Sequence, residues 1–338
     1  MKFDSNVIKS TAAVPRWQDL IKKYQTPDNR RSIQQVITSM LPFVGMWYLM
    51  YQSLSVSYWL TLLLALPTAG FLTRTFIIQH DCGHGSFFKS SKANDWVGTV
   101  CGFITMIPYH QWRHEHAMHH ATSGDLSRRG VGDISTLTVN EYLALSKWGR
   151  LQYRLYRSTP VLLLLGPIYA FVLQHRFVRK DSRKPAARNV YLTNAVLFTV
   201  WGTLCLTIGV KVFLMIWLPI TMISGALGIW LFYVQHQYEN TYWRSGEEWD
   251  YVTAAVMGSS FLKLPRLLQW FTGNIGFHHI HHLSPKIPNY KLEQCHNETP
   301  MFQEAVVLNI RQALKTASLR LWDEKQQKMV GFAALKSR

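Results

Sequence analysis

Four long apolar runs limit most strongly what this chain can fold into. They cover residues 36–54, 56–78, 190–210 and 212–234, which are 19 to 23 residues each. At 1.5 Å per residue, a helix of about 20 residues crosses the ~30 Å hydrocarbon core of a bilayer. Only Ser55 and Lys211 separate the members of each pair, so the runs predict two tight transmembrane hairpins whose tips face the same side.

Arg74 is the one charged residue within these runs. It lies near the polar end of its predicted helix, from which a long cationic side chain can reach the lipid headgroups. We therefore interpret Arg74 as a membrane anchor.

Two shorter apolar stretches, residues 96–108 and 159–174, predict interfacial or re-entrant helices. Residues 175–188 follow and contain six Lys or Arg against one Asp, which by the positive-inside rule predicts a cytoplasmic location. Residues 1–30 contain no apolar core of the length that a signal peptide needs. The predicted cytoplasmic parts are therefore residues 1–35, 79–189 and 235–338.

These features predict a single all-α integral membrane domain over residues 1–338, since no repeat or linker divides the chain. It consists of two transmembrane hairpins (four spans), interfacial helices and a helical cytoplasmic cap, in the cell membrane. The net charge is +17. Because membrane segments flank the basic stretch, anionic lipid headgroups are a simpler counter-charge than nucleic acid, which we do not expect as a partner.

Eleven of the fourteen histidines fall in three short clusters. Residues i, i+3 and i+4 share one face of a helix, so the histidines at these spacings can point at one ion. They total eight imidazoles, more than one first-row metal ion takes, and they predict a two-metal site in the cap. These are His80 and His84 in the first cluster, His116, His119 and His120 in the second, and His278, His281 and His282 in the third.

The predicted topology allows the clusters to meet. No span separates the first cluster from the second, and two spans separate the second from the third, so all three reach the cytoplasmic face. His236 follows the fourth span and adds a ninth candidate, although a histidine can also cap a helix C-terminus there. We expect the other histidines to support ligands or to be solvated: His110, His114, His175, His279 and His296.

Carboxylates are expected to hold the ring N–H groups of metal-bound histidines. The candidates are Asp81, Glu115, Asp125, Asp133 and Glu239, and the sequence does not choose among them. The four cysteines form no CxxC pair, and no GxGxxG fingerprint is present, so the electron donor for any redox reaction must be external. Two-zinc hydrolysis is one possible chemistry, but oxygen activation by two irons suits an unreactive acyl C–H bond in a membrane better.

The motifs HDCGH (80–84), HAMHH (116–120) and HHIHH (278–282) resemble the three histidine boxes of the integral-membrane fatty acid desaturase superfamily, which includes related hydroxylases. The stretches LFYVQH (231–236) and GNIGFHHIHHLSPKIPNY (273–290) look similar to bacterial acyl-lipid desaturases, in particular those of the Δ5 type that act on existing membrane phospholipids.

This resemblance implies an oxidoreductase with two iron ions that uses O2 and two external electrons to convert adjacent methylenes to a double bond. It implies that the eight clustered histidines are metal ligands, that His236 matches an additional family histidine, and that no catalytic residue is needed beyond the ligands. The first box is HxxxH, whereas acyl-CoA desaturases of animals carry HxxxxH, which favours lipid-linked acyl chains. Δ5 is favoured by resemblance, with Δ12 and Δ9 as alternatives.

Ferredoxin or flavodoxin is the expected electron donor, because a basic surface suits an acidic carrier, although lipid headgroups suit it equally. Two other functions stay open. One is a membrane di-iron hydroxylase of a lipid, alkane or carotenoid, and the other is a non-catalytic membrane metal-binding protein. The spans lack polar metal-binding residues, which argues against a route for metal across the bilayer.

Overall fold

The computed structural model describes residues 16–335, so residues 1–15 of the predicted cytoplasmic arm, and residues 336–338, lie outside the description. The described chain is mostly helical, as predicted. Its α-helices are α1 Trp17–Ile21, α2 Asn29–Ser53, α3 Tyr58–Gly83, α4 Ser91–Thr105, α5 Tyr109–Thr122, α6 Val139–Ala144, α7 Lys147–Tyr156, α8 Lys184–Ile208, α9 Val210–His236, α10 Tyr251–Met257, α11 Arg266–Phe271, α12 His278–Leu283, α13 Asn289–Glu298 and α14 Ile310–Thr316.

The helices of the two predicted hairpins follow each other closely. The Asp28 carboxylate caps α2 by accepting backbone N–H bonds, and the Ser57 hydroxyl caps α3 in the same way. Gly209 alone joins α8 to α9, and its φ of +86° requires a residue without a side chain. Helices α3 and α9 pack side by side and run in the same direction, because each hairpin returns to the side where it began.

Three helices, α3, α8 and α9, are long and apolar enough to cross a membrane. A fourth crossing results if α7 and the segment Val161–Arg176, which meet at a bend of 59°, form one broken span. Helix α2 covers residues 36–53 of the predicted run 36–54 and has 25 residues. Its Trp, Tyr and Gln residues lower its mean hydropathy, and it is not among the three helices that are apolar enough to cross a membrane. The four-span arrangement therefore stays a prediction.

Five short strands were not predicted from the sequence. Strand β1 (Leu137–Thr138) pairs in parallel with β4 (Leu321–Asp323), which pairs antiparallel with β5 (Lys328–Val330). Strand β2 (Phe261–Lys263) pairs in parallel with β3 (Val307–Asn309). With two or three residues each, the strands are too short to show a period-2 pattern, and they fasten the C-terminal region to the cap.

Arg74 does not reach the headgroups, so its interpretation as a membrane anchor is wrong. It is only 8% exposed, its guanidinium lies 4.0 Å from the centre of the Trp270 ring, and its Nη1 donates to the Trp270 carbonyl. A cation over an indole face is stabilised by the ring's quadrupole. Arg74 therefore ties α3 to α11 inside the protein.

Arg157 is a second buried cation, at the end of α7, and it has no exposed surface. Its guanidinium donates to five acceptors on three separate parts of the chain, which are the Ser135 and Leu319 carbonyls, the Thr136 and Tyr233 hydroxyls and the Gln237 side-chain oxygen. Arg157 thereby holds the loop around residue 135 against the end of α9, where the histidines gather.

Arg157→Leu should destabilise the protein strongly, because each buried acceptor left without a donor costs about 1–3 kcal/mol. The measurement is the thermal unfolding midpoint of the purified protein in detergent. Arg154→Leu is the matched control, since Arg154 lies on the same helix, is exposed and donates to the Tyr142 hydroxyl. Equal midpoints for the two variants would contradict the assignment of Arg157 as a structural link.

Candidate metal centre

Four helices deliver histidines to one place in the fold. His80 lies in the last turn of α3 and His84 follows its end, while α5 carries the second cluster along one face. His236 is the last residue of α9, and the six-residue helix α12 begins at His278. Because α3 and α9 run side by side in the same direction, both end at this centre.

Nine histidines form two groups whose ring nitrogens converge. Within each group, one nitrogen from every member lies within 4.8 Å of the others. The five-histidine group consists of His80, His84, His116, His120 and His281, and the four-histidine group consists of His119, His236, His278 and His282. These nine are the residues that the sequence predicts as ligands. The groups adjoin each other, since the rings of His120 and His282 stack with their centres 4.2 Å apart.

The separations between ring nitrogens fit one metal ion in each group. The His120 Nε2 lies 3.1 Å from that of His116 and 3.0 Å from that of His281. In the other group, the Nε2 atoms of His236 and His278 are 3.0 Å apart. Two nitrogens that bind one ion at about 2.1 Å, at right angles to each other, also lie about 3.0 Å apart. Imidazole ligands suit zinc, copper, iron and nickel, so the donor set fits iron.

Burial favours the uncharged form of six of the nine imidazoles. Burial first, and neighbouring histidine rings second, lower the pKa values of six of them well below the ordinary value. These are His84, His116, His120, His278, His281 and His282. A neutral imidazole presents a nitrogen lone pair, which is the form that binds a metal ion.

Two of the five candidate carboxylates contact histidines of the centre. Asp81 accepts from His80 Nδ1 at 3.0 Å, and Asp133 accepts from His119 Nδ1 at 2.5 Å. The Gly258 carbonyl accepts from His236 Nδ1 at 3.1 Å in the same way. Each of these bonds places the ring proton on Nδ1 and leaves Nε2 free for a metal.

The other three candidate carboxylates have different partners. Asp125 accepts from Ser127 and Arg128 in its own turn. Glu115 lies 3.6 Å from Arg179, and Glu239 lies 3.6 Å from Lys328. The sequence could not distinguish the carboxylates that contact histidines from the other three. The contact of Asp133, for example, depends on the conformation of a loop, which is determined by the elements packed around it.

The remaining five histidines join neither group among residues 16–335: His110, His114, His175, His279 and His296. His175, His279 and His296 are nevertheless buried, so solvation is the wrong description of them. Neither ring nitrogen of His279 has a hydrogen-bond partner in the described chain, and its ring packs against those of His296 and Phe302, with centres 5.4 and 5.7 Å away.

His279→Ala should reduce product formation less than His281→Ala, because His279 packs in the core and His281 points into the centre. The lost packing should lower the unfolding free energy by about 2–5 kcal/mol. The measurements are product yield, normalised to folded protein, and the unfolding midpoint. A folded His279→Ala protein as inactive as His281→Ala would mean that the faces of α12 are assigned wrongly.

An apolar cavity of about 280 Å³ adjoins both histidine groups. His80 and His116 of the five-histidine group and His278 of the four-histidine group line one end. Its walls come from α3 between Leu72 and His80 and from α9 between Thr221 and Gln235. Those stretches correspond to about 12 and 21 Å of helix, so the cavity extends from the histidines down between the two helices.

Next to Leu72, at the end away from the histidines, α2, α3 and α9 pack tightly against each other. The packed residues are Met50, Ala65, Ala69, Leu72, Ile216 and Ile220, each at most 6% exposed. The π-helical turn Ile168–Leu173 covers one side of the cavity, where Ala170 and Phe171 line it. The sequence indicated none of this lining, because residues far apart in the chain form it.

Comparison with known proteins gives a consistent family. Residues 54–312 match the family model described as fatty acid desaturase. The chain is 48% identical over 316 residues to a protein named fatty acid desaturase from Bacillus subtilis (strain 168), covering 94% of this chain and 90% of that protein.

More distant relatives carry more specific names. A Synechocystis protein named sn-1 oleoyl-lipid 12-desaturase is 28% identical, covering 75% of this chain and 70% of its own length. A protein of Arabidopsis thaliana named sn-2 acyl-lipid omega-3 desaturase (ferredoxin), chloroplastic, is also 28% identical, covering 65% of this chain and 50% of its own length.

Proposed function

The chain belongs to the fatty acid desaturase family, and from this membership we propose that it is an O2-dependent desaturase of acyl chains in membrane phospholipids. The family makes it an enzyme and an oxidoreductase of lipid metabolism. The proposal adds the cofactor, the substrate form, the position of the double bond and the electron donor.

One observation carries the proposal: two converging histidine groups border the same end of one apolar cavity. An acyl chain in the cavity would lie with its methylenes against His80, His116 and His278. Apolar walls bind the chain and exclude water from the reacting carbons.

We assign the nine histidines of the two groups as ligands of two iron ions. When bound, the iron pair supplies the activation of O2. The reaction removes two hydrogens from adjacent methylenes and, with two external electrons and two protons, reduces O2 to two molecules of water. Asp81 and Asp133 keep the protons of His80 and His119 on Nδ1, and no further catalytic side chain is proposed.

The substrate form and the double-bond position rest on similarity. Relatives named acyl-lipid desaturases, together with the HxxxH first box, favour lipid-linked chains. Δ5 is our first choice from the resemblance of the motifs to bacterial acyl-lipid desaturases. Δ12, as in the name of the Synechocystis relative, and Δ9 are the alternatives.

We propose an external ferredoxin or flavodoxin as the electron donor, and one relative's name includes ferredoxin. Part of the basic segment 175–188 is already engaged, since Arg176 donates to the Met106 carbonyl and Arg179 pairs with Asp181. The exposed cations of this segment are Lys180, Arg183, Lys184 and Arg188. They can meet either an acidic carrier or anionic headgroups.

The assembled centre supports a four-span topology with the site on the cytoplasmic face. The second and third histidine clusters meet, so an even number of crossings lies between them. Helices α8 and α9 supply two, and the bent segment Val161–Arg176 is then re-entrant rather than a third crossing. Helix α2 pairs with α3 as the remaining span.

A related membrane hydroxylase is the second candidate, because an apolar cavity beside two irons suits oxygen insertion equally well. A non-catalytic metal-binding protein is disfavoured by the family. An oxygenated lipid without a new double bond would favour the hydroxylase. Metal uptake into vesicles that contain the protein would favour the non-catalytic metal-binding protein.

The test is the fatty acid profile of a bacterial host that makes few unsaturated chains and expresses the protein or its His120→Ala form. Double bonds are located by mass spectrometry of derivatised methyl esters. We expect a new monoene only with the unaltered protein, at Δ5. Iron-loaded protein that yields no new unsaturated chain, with a ferredoxin system supplied, would contradict the proposal.

A further inference from the structure

Asn289 lies 208 residues from Asp81 in the sequence but contacts, in the fold, the carboxylate that hydrogen-bonds to His80. It is the first residue of α13 and is 1% exposed. Its backbone N and its side-chain Nδ2 both donate to Asp81 Oδ2, at 2.6 and 2.8 Å. The other oxygen of the same carboxylate, Oδ1, accepts from His80 Nδ1.

We propose that Asn289 is a positioning residue, which acts through Asp81 to fix the proton and the direction of the His80 ring. This inference rests on the proposed metal centre and deepens it. It assigns to Asn289 the control of one ligand in the five-histidine group.

The direction of the hydrogen bonds at Asp81 follows from which of the atoms carry a proton. Asp81 Oδ2 already accepts two N–H bonds, so the carboxylate presents Oδ1 to His80 as an acceptor. The His80 proton must then lie on Nδ1, which leaves the Nε2 lone pair for a metal ion. Asn289→Ala removes the Nδ2 donor and keeps the backbone N–H. With one donor on Oδ2 instead of two, the carboxylate can rotate or be paired differently, and His80 is held less firmly in one orientation.

The contact also joins separate parts of the centre. Asn289 follows the third cluster by seven residues and Asp81 belongs to the first cluster. The side chain of Asn274, which precedes α12, donates to the Asn289 carbonyl at 3.1 Å. Asn289 thus fastens the segment that carries His281 to the end of α3 that carries His80.

Asp81→Asn tests the donor argument directly. If the new amide turns its oxygen toward His80, its NH2 faces the two donors of Asn289. If it turns its oxygen toward Asn289, its NH2 donates to His80 Nδ1 and drives the ring proton onto Nε2, where it blocks metal binding. Either orientation should weaken metal binding at one of the two sites by about 10–100-fold, the effect typical of partners that hydrogen-bond to metal ligands.

Adding Asn289→Asp to Asp81→Asn should restore part of that affinity. The amide can then accept from His80 with its oxygen and donate to the introduced carboxylate with its NH2. The restoration is partial, because the backbone N–H of position 289 keeps no acceptor. Asn289→Asp alone sets two buried carboxyl groups side by side and should weaken binding. Recovery in the double variant is a result that loss of packing alone does not produce.

The experiment titrates the metal-free full chain with Fe(II) and, separately, with Zn(II), and counts the bound ions and their affinities. Asn289→Ala is the second variant, and Asn297→Ala is its control, since Asn297 lies on the same helix and is exposed. We expect two tight ions in the unaltered and Asn297→Ala proteins, and one tight and one weakened ion in Asn289→Ala and Asp81→Asn. The metal-free forms should all fold, with a lower unfolding midpoint in Asn289→Ala, since a buried donor is lost.

Two tight ions in both Asn289→Ala and Asp81→Asn would overturn the inference. So would metal loss without recovery in the double variant, or an equal loss of affinity at both sites in Asn289→Ala. Failure of the proposed function gives a different result, because the unaltered protein would then bind two ions with the expected variant pattern but form no double bond.

Discussion

Replacing His120 with alanine should abolish desaturation while the protein still folds and inserts into the membrane. The Nε2 of His120 lies between those of His116 and His281, at 3.1 and 3.0 Å, so its loss opens the middle of the five-histidine group. The expected loss of product exceeds the about 10–100-fold caused by changing partners that only support a ligand. His281→Ala should behave in the same way.

The measurement for His120→Ala is product per folded protein in isolated membranes, with the bound iron counted on the same sample. His114→Ala is the matched control, because His114 lies on the same helix and is exposed. A His120→Ala protein that retains both irons and most of its product would remove His120 from the ligand set.

Gly228→Leu should lower product formation strongly by filling the cavity, without loss of iron. Gly228 lies midway along the stretch of α9, from Thr221 to Gln235, that lines the cavity. A Cβ built on Gly228 lies 4.0 Å from Phe171, with no closer neighbour. The larger side chain therefore fits the fold but fills space meant for the acyl chain. Overpacking of this kind costs about 1–3 kcal/mol, and each 1.4 kcal/mol is about tenfold, so product should fall by about 5- to 140-fold.

Gly202→Leu is the control for Gly228→Leu, because Gly202 lies on α8 with open space around its Cα. The two variants should retain the same iron content and unfolding midpoint and should differ in product. Full product from a folded Gly228→Leu protein would show that the acyl chain does not occupy the cavity between α3 and α9.

The parts of the structure that follow short-range patterns were predictable from the sequence. Apolar runs of 19 to 23 residues predicted the helices of both hairpins. The i, i+3 and i+4 spacing selected eight of the nine histidines that converge, and the position of His236 after the fourth run added the ninth. The even number of predicted spans between His120 and His278 indicated that the clusters reach one face before any distance was known.

The parts that depend on long-range contacts were not predictable. Arg74 was assigned to the headgroups because its partner Trp270 lies 196 residues away. Asp81 and Asp133 were not separable from three other carboxylates, and Asn289 carried no signal, since its importance comes from a contact across 208 residues. The cavity could not be predicted either, because residues from distant parts of the chain line it.

The central claim is that the two histidine groups hold two irons on which desaturation depends, and iron counted in an active, purified sample tests it most directly. We predict about two iron ions per chain, loss of product when a chelator removes them, and recovery of product when Fe(II) is restored together with the electron donor. Full desaturation by a protein that contains no iron would contradict the claim.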